Sequence, residues 1–134
     1  MSKRQRMEEG TYRHRCESCI MTSPPIRHYL DDEDELQVID NHWTCENGIT
    51  QFSIGAMGYH KTLKKLSDIE RACSKHSNWH VHRWAYLKPF TEVSIDSIRL
   101  LNDAEDVKKA YDESIKYVLY GAFERREAWH QRKP

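Results

Sequence analysis

Two pairs of metal-ligating side chains, Cys16-Glu-Ser-Cys19 and His42-Trp-Thr-Cys45, constrain the fold of this chain more than any other feature. Zinc takes four soft or borderline donors in a tetrahedron, and two residues between ligands let one tight turn present both side chains to one ion. Two such turns complete the shell, so the spacing predicts one zinc held by Cys16, Cys19, His42 and Cys45. The residues also admit other readings. A Cys-x-x-Cys can be a redox pair, and four cysteines in 134 residues could form two disulfides or stay as buried thiols. The pairing on both sides favours the metal.

A chain of this size needs one core, so a second independent one is not expected. Only 38% of the residues are hydrophobic, 31% are charged, and the mean hydropathy is -0.88. A metal or a partner is then a ready source of the stability that a small core lacks. No apolar run approaches the roughly 20 residues of a membrane span, and no hydrophobic segment follows Met1–Arg6 to act as a secretory signal. The expected location is intracellular, in cytoplasm or nucleus, with no membrane partner. Disulfides are rare there, which again points to metal.

The second ligand pair runs into Asn47-Gly48, the strongest short-range signal for a hairpin turn, followed by Ile49-Thr50-Gln51-Phe52. A ligand turn leading straight into a hairpin resembles the second knuckle of a zinc ribbon, over residues 16–54 alone. The resemblance implies zinc as cofactor, a zinc-clipped hairpin, and a regulatory role in contact with nucleic acid or a nucleic-acid-processing protein. This chain departs from the usual ribbon in carrying His42 where a cysteine is common. It also places the acidic run Asp31–Glu35 between the two pairs.

Along the chain, residues 1–12 read as a mobile tail, 13–57 as the zinc-binding hairpin region and 58–134 as an α+β body. Ile26 to Leu30 fits a short strand. Gln37–Trp43 and Ile49–Met57 alternate as two strands, the second burying Phe52, Ile54 and Ala56, with Gly58 as its end. Lys61 to Lys75 places Leu63, Leu66, Ile69 and Cys73 at helical spacing, and the opposite side gathers Lys61, Lys64, Lys65, Arg71 and Lys75. Such a face can dock on phosphates, or it can be a solvated helix surface. Asn78 to Leu87 alternates as a strand. Ser94 can cap a short helix through Leu101, and Asn102 or Asp103 a longer one striped by Val107, Tyr111, Ile115, Val118 and Ala122. The predicted fold is small α+β: a zinc-clipped hairpin region, one or two further strands and two or three helices.

A second constellation lies at Cys73, His76, His80 and His82, where His80 and His82 share one strand face and so could share one ion. A strand with His-x-His followed by a tyrosine-bearing helix also resembles HUH-type nicking enzymes. That resemblance implies a divalent ion on His80 and His82 and Tyr117 as a nucleophile toward a DNA phosphate. Tyr120 stands where such enzymes carry a lysine.

Residues 1–60 hold 6 basic and 10 acidic side chains and residues 61–134 hold 15 and 11, so the net charge of zero divides into an acidic and a basic half. No glycine-rich phosphate loop, Gly-x-Ser-x-Gly or His-Glu-x-x-His occurs. These absences lean away from an enzyme, without deciding the point, and toward a zinc-binding regulatory protein, with no small-molecule substrate inferred. The nicking enzyme and a metal-stabilised protein-interaction module are the alternatives.

Overall fold

The computed structural model describes residues 7–13, 20–21, 25–31, 33, 35–45 and 48–134. Among them, seven strands form one antiparallel sheet, and two helices lie across one of its faces, so the fold is α+β with the sheet dominant. β1 (Ile20–Met21) and β2 (Ile26–Tyr29) both pair with β3 (Leu36–Cys45) along one edge. The order then follows the chain through β4 (Gly48–His60), β5 (Lys65–Cys73), β6 (Asn78–Ala85) and β7 (Lys88–Leu100). Every connection is local, as expected of strands joined by short turns.

The β3–β4 hairpin forms where alternation predicts it, with Asp40 opposite Ile54 and His42 opposite Phe52. Side chains of period two reach opposite sheet faces. Phe52, Ile54 and Ala56 are accordingly buried, while Gln51 is exposed and Ser53 and Gly55 are half-buried. β4 does not end at Gly58 but runs to His60. A Cβ on Gly58 would stand 2.8 Å from the Trp129 ring and 2.9 Å from Ile69 Cδ1, so the glycine makes room for the largest side chain of the core.

The helix predicted over Lys61–Lys75 does not form: residues 61–64 turn, and 65–73 are strand β5. β4 pairs with this segment along almost its whole length and β6 pairs with Glu70–Cys73, and tertiary pairing overrides a weak local period. A bulge at Ile69 breaks the alternation, with Glu70 opposite Ala56 and Asp68 opposite Met57. The short helix predicted from Ser94 to Leu101 is likewise strand, the outer half of β7. More strands are present than the one or two predicted beyond the hairpin.

The first helix starts as read from the sequence. The Asp103 side chain accepts the Asp106 N–H at 2.8 Å, and Asp106 accepts the Asn102 N–H at 2.9 Å, a reciprocal cap for α1 (Ala104–Ser114). The chain widens to a π-helical segment over Ile115–Tyr120 and continues as α2 (Ala122–Gln131). Val107, Ala110, Val118, Ala122 and Trp129 pack on Leu36, Val38, Ile54, Ala56, Ile69 and Val81, forming the core between helices and sheet.

Residues 8–13, expected within a mobile tail or at the edge of the zinc region, instead lie against this body. The Gly10 N–H donates to Ser77 O and the Tyr12 N–H to Leu101 O, each at 3.0 Å. Asn78 Nδ2 donates to Glu8 O at 2.8 Å. A Cβ on Gly10 would stand 2.2 Å from Leu101 O, so this close approach of two backbones requires glycine. No helix among the described residues is long and apolar enough to cross a membrane.

Candidate metal centre

The face of the sheet away from the helices carries the metal-ligating cluster. On β5 and β6, Cys73 stands opposite His80 and Arg71 opposite His82. All four side chains therefore share one face. Cys73 Sγ lies 2.8 Å from His80 Nε2 and 3.4 Å from His82 Nε2, and the three ligand atoms all fall within 4.8 Å of one another. Zinc bonds of about 2.3 Å to sulfur and 2.05 Å to nitrogen at tetrahedral angles set sulfur and nitrogen about 3.5 Å apart. Cys73–His82 already meets that demand, Cys73–His80 must open by about 0.7 Å, and the two nitrogens, which such a shell sets about 3.3 Å apart, lie within 4.8 Å, so side-chain shifts of about an ångström seat an ion.

Each imidazole is also held from behind. His80 Nδ1 lies 2.7 Å from Asn78 O, and His82 Nδ1 lies 2.7 Å from Glu92 Oε2 across the β6–β7 hairpin. A proton on each Nδ1 satisfies these acceptors and leaves both Nε2 lone pairs aimed at the centre. This is how histidines that ligate metals are oriented, by a carbonyl or a carboxylate on the far nitrogen. Burial pushes the Cys73 thiol above its ordinary value of 9.0, and burial, with His82 and His76 nearby, holds His80 below 6.5 against the favourable Asn78 carbonyl. At neutral pH His80 is thus held neutral and Cys73 is a protonated thiol that a metal must deprotonate.

Of the four residues predicted for this second site, three converge and His76 does not. His76 sits in the β5–β6 turn with φ 62, exposed, its Nδ1 3.4 Å from Glu9. Glu92 carries no signal of this role in the sequence. It lies ten residues beyond His82, and only the hairpin register brings it near.

Cys16 and Cys19 of the first predicted site fall outside the described residues. Its other half is not the tight turn that a zinc knuckle uses, because His42–Cys45 is the end of strand β3. Three steps of extended chain spread two side chains about 10 Å apart and onto opposite faces. His42 Nδ1 is 3.0 Å from buried Asp40, which also accepts the Tyr111 hydroxyl at 2.5 Å. Among the described residues, Cys73, His80 and His82 form the group that can hold a metal.

The five basic residues predicted on one helix are dispersed by the strand. Lys61, Lys64 and Lys65 stay together at the β4–β5 turn, Lys75 lies at the other end of β5, and Arg71 covers the Trp84 ring at 5.4 Å on the metal face. Tyr117 is half-buried on the helix side. Its hydroxyl is 3.3 Å from Arg83 Nη2, and its ring lies under Arg125 at 4.3 Å. Arg83 follows His82 on β6 and so faces the other way, which leaves the body of the sheet between Tyr117 and the metal ligands.

No family model matches this chain, and neither do any of the curated proteins or solved structures with which it was compared.

Proposed function

We propose that the chain is a zinc-binding protein in which Cys73, His80 and His82 hold one ion, and that it acts as a regulator in contact with nucleic acid or a nucleic-acid-processing protein. One observation carries the metal assignment: a thiol and two Nε2 atoms converge on one point, with both opposite nitrogens already held by acceptors. Thiolate and imidazole together suit zinc better than magnesium or calcium, which take oxygen ligands. Three protein ligands leave one tetrahedral position for water or for a donor atom of a partner, unlike the closed shell of a purely structural site. The nucleic-acid part of the reading is supported by the lysines that remain clustered at the β4–β5 turn.

Metal analysis of protein loaded with zinc and desalted is expected to give one ion per chain, falling below a tenth in Cys73→Ser. Because burial keeps the thiol protonated, binding releases its proton. Affinity should then rise about tenfold per pH unit while Cys73 remains a thiol, and flatten above its pKa. Full loading of Cys73→Ser, or an affinity indifferent to pH between 6 and 8 on a competition titration (about a hundredfold expected), defeats the assignment.

The nicking-enzyme reading needs Tyr117 and a histidine-bound ion at one phosphate; against it stands the position of Tyr117 on the helix side of the sheet, with His80 and His82 on the other face. Incubation with single-stranded oligonucleotides and Mn²⁺ or Mg²⁺ is expected to leave no covalent adduct on a denaturing gel. An adduct that disappears in Tyr117→Phe would establish the catalytic reading instead.

A further inference from the structure

The end of the sheet that carries the β4–β5 and β6–β7 turns gathers charge and exposed apolar surface that the metal centre does not use. Lys61, Lys64, Lys65 and Lys88 are all exposed there. Between them stand Leu87 at 76% and Phe90 at 73% exposure, among the most exposed large hydrophobic side chains of the described residues. The two turns are fastened together: the Lys61 N–H donates to the Tyr86 hydroxyl at 3.0 Å, and Lys65 Nζ lies 5.3 Å from the centre of the Phe90 ring.

We propose that this sheet end is a binding surface for single-stranded nucleic acid, the lysines meeting successive phosphates and Phe90 stacking a base. The proposal rests on the nucleic-acid part of the reading above and gives it a place and a strand type. Unpaired bases expose flat apolar faces that an aromatic ring can take up, whereas a duplex hides them, so an exposed phenylalanine beside lysines favours the single strand. The same tips could meet an anionic membrane, but the acidic β2–β3 loop stands at the same end of the sheet. The Tyr59 N–H donates to Glu35 O at 2.8 Å, and Glu33 and Glu35 are exposed. A broad anionic plane would press on those carboxylates. A single strand can pass along the lysine side alone.

Fluorescence anisotropy with a labelled oligothymidylate, titrated from low to moderate salt, tests this on the zinc-loaded protein. Four lysines neutralising four phosphates give a slope of log affinity on log salt of about -3. Lys64→Glu/Lys65→Glu should weaken binding at least tenfold and reduce the slope by about half, with Lys61→Glu/Lys88→Glu as a second pair should the first fail to fold. Phe90→Ala should weaken binding about fivefold to a hundredfold, the worth of one base stack, with the slope unchanged. Zinc content of all three variants should match the parent, so a failure of the metal assignment cannot be mistaken for a failure here. Wild-type protein that does not bind the oligonucleotide overturns the proposal. So do variants that bind as well as the parent, or binding to phosphatidylserine vesicles in place of the oligonucleotide.

Discussion

Zinc at a thousandfold excess over its dissociation constant is expected to stabilise the folded protein by about 4 kcal/mol, since an ion that binds only the native state adds its binding free energy to folding. For a domain of this size that corresponds to a rise in melting temperature of roughly 10–15 °C. The effect reaches the whole fold because the ligands tie β5 to β6, two inner strands of the sheet. Cys73→Ser should remove the increment while changing the metal-free melting temperature little, because serine fits the same space. Glu92→Gln should keep the fold and lose part of the increment. It weakens the acceptor that holds His82 Nδ1 at 2.7 Å, and such outer partners are commonly worth ten- to a hundredfold in metal affinity. A melting curve unmoved by zinc or by chelator would remove the centre from the account, as would an equal increment in Cys73→Ser.

Sequence reading found the parts of this fold where one local signal acts alone. The β3–β4 hairpin follows from clean alternation around Asn47-Gly48, and the start of α1 from an Asp-x-x-Asp cap. His80 and His82 were legible as a pair because alternation puts them on one face, and Cys73 because it lies a short turn away. β5 carries a helical period in its sequence for a physical reason. Leu63, Leu66, Ile69 and Cys73 fit a helical period, and the strand period that competes with it is interrupted by the bulge at Ile69 and hidden by a charged residue, Glu70, at a buried position. Only the neighbouring strands decide between the two. Glu92 and the docking of Gly10 were illegible because register and a long-range backbone approach create them, and neither leaves a local pattern.

The buried Glu70 is itself the source of the second large effect. Its side chain is 0% exposed on the helix face of β5, one Oε accepts from Arg132 Nη2 at 2.5 Å with Arg83 Nε at 3.5 Å, and the other has no hydrogen-bond partner among the described residues. Arg132 follows α2 and also donates to Trp84 O at 2.7 Å, so one guanidinium binds the chain beyond Trp129 to two strands. Removing Arg132 takes away the closer partner of a buried carboxylate and leaves it with Arg83 at 3.5 Å, so the loss is of the order of 2–3 kcal/mol. Arg132→Ala is expected to cost that much in urea unfolding. Glu70→Gln in the same background should recover part of it, because the under-paired buried charge is then gone while Arg83 keeps an amide oxygen to donate to. Strictly additive costs in this cycle would show that the pair is not coupled. Glu70 and Cys73 lie on opposite faces of β5, so zinc affinity measured under native conditions should change less than twofold in Arg132→Ala. Fold stability on one side of the sheet and metal binding on the other are thereby expected to separate, and a large loss of zinc affinity in that variant would mean that the ion pair sets the spacing of the ligands as well.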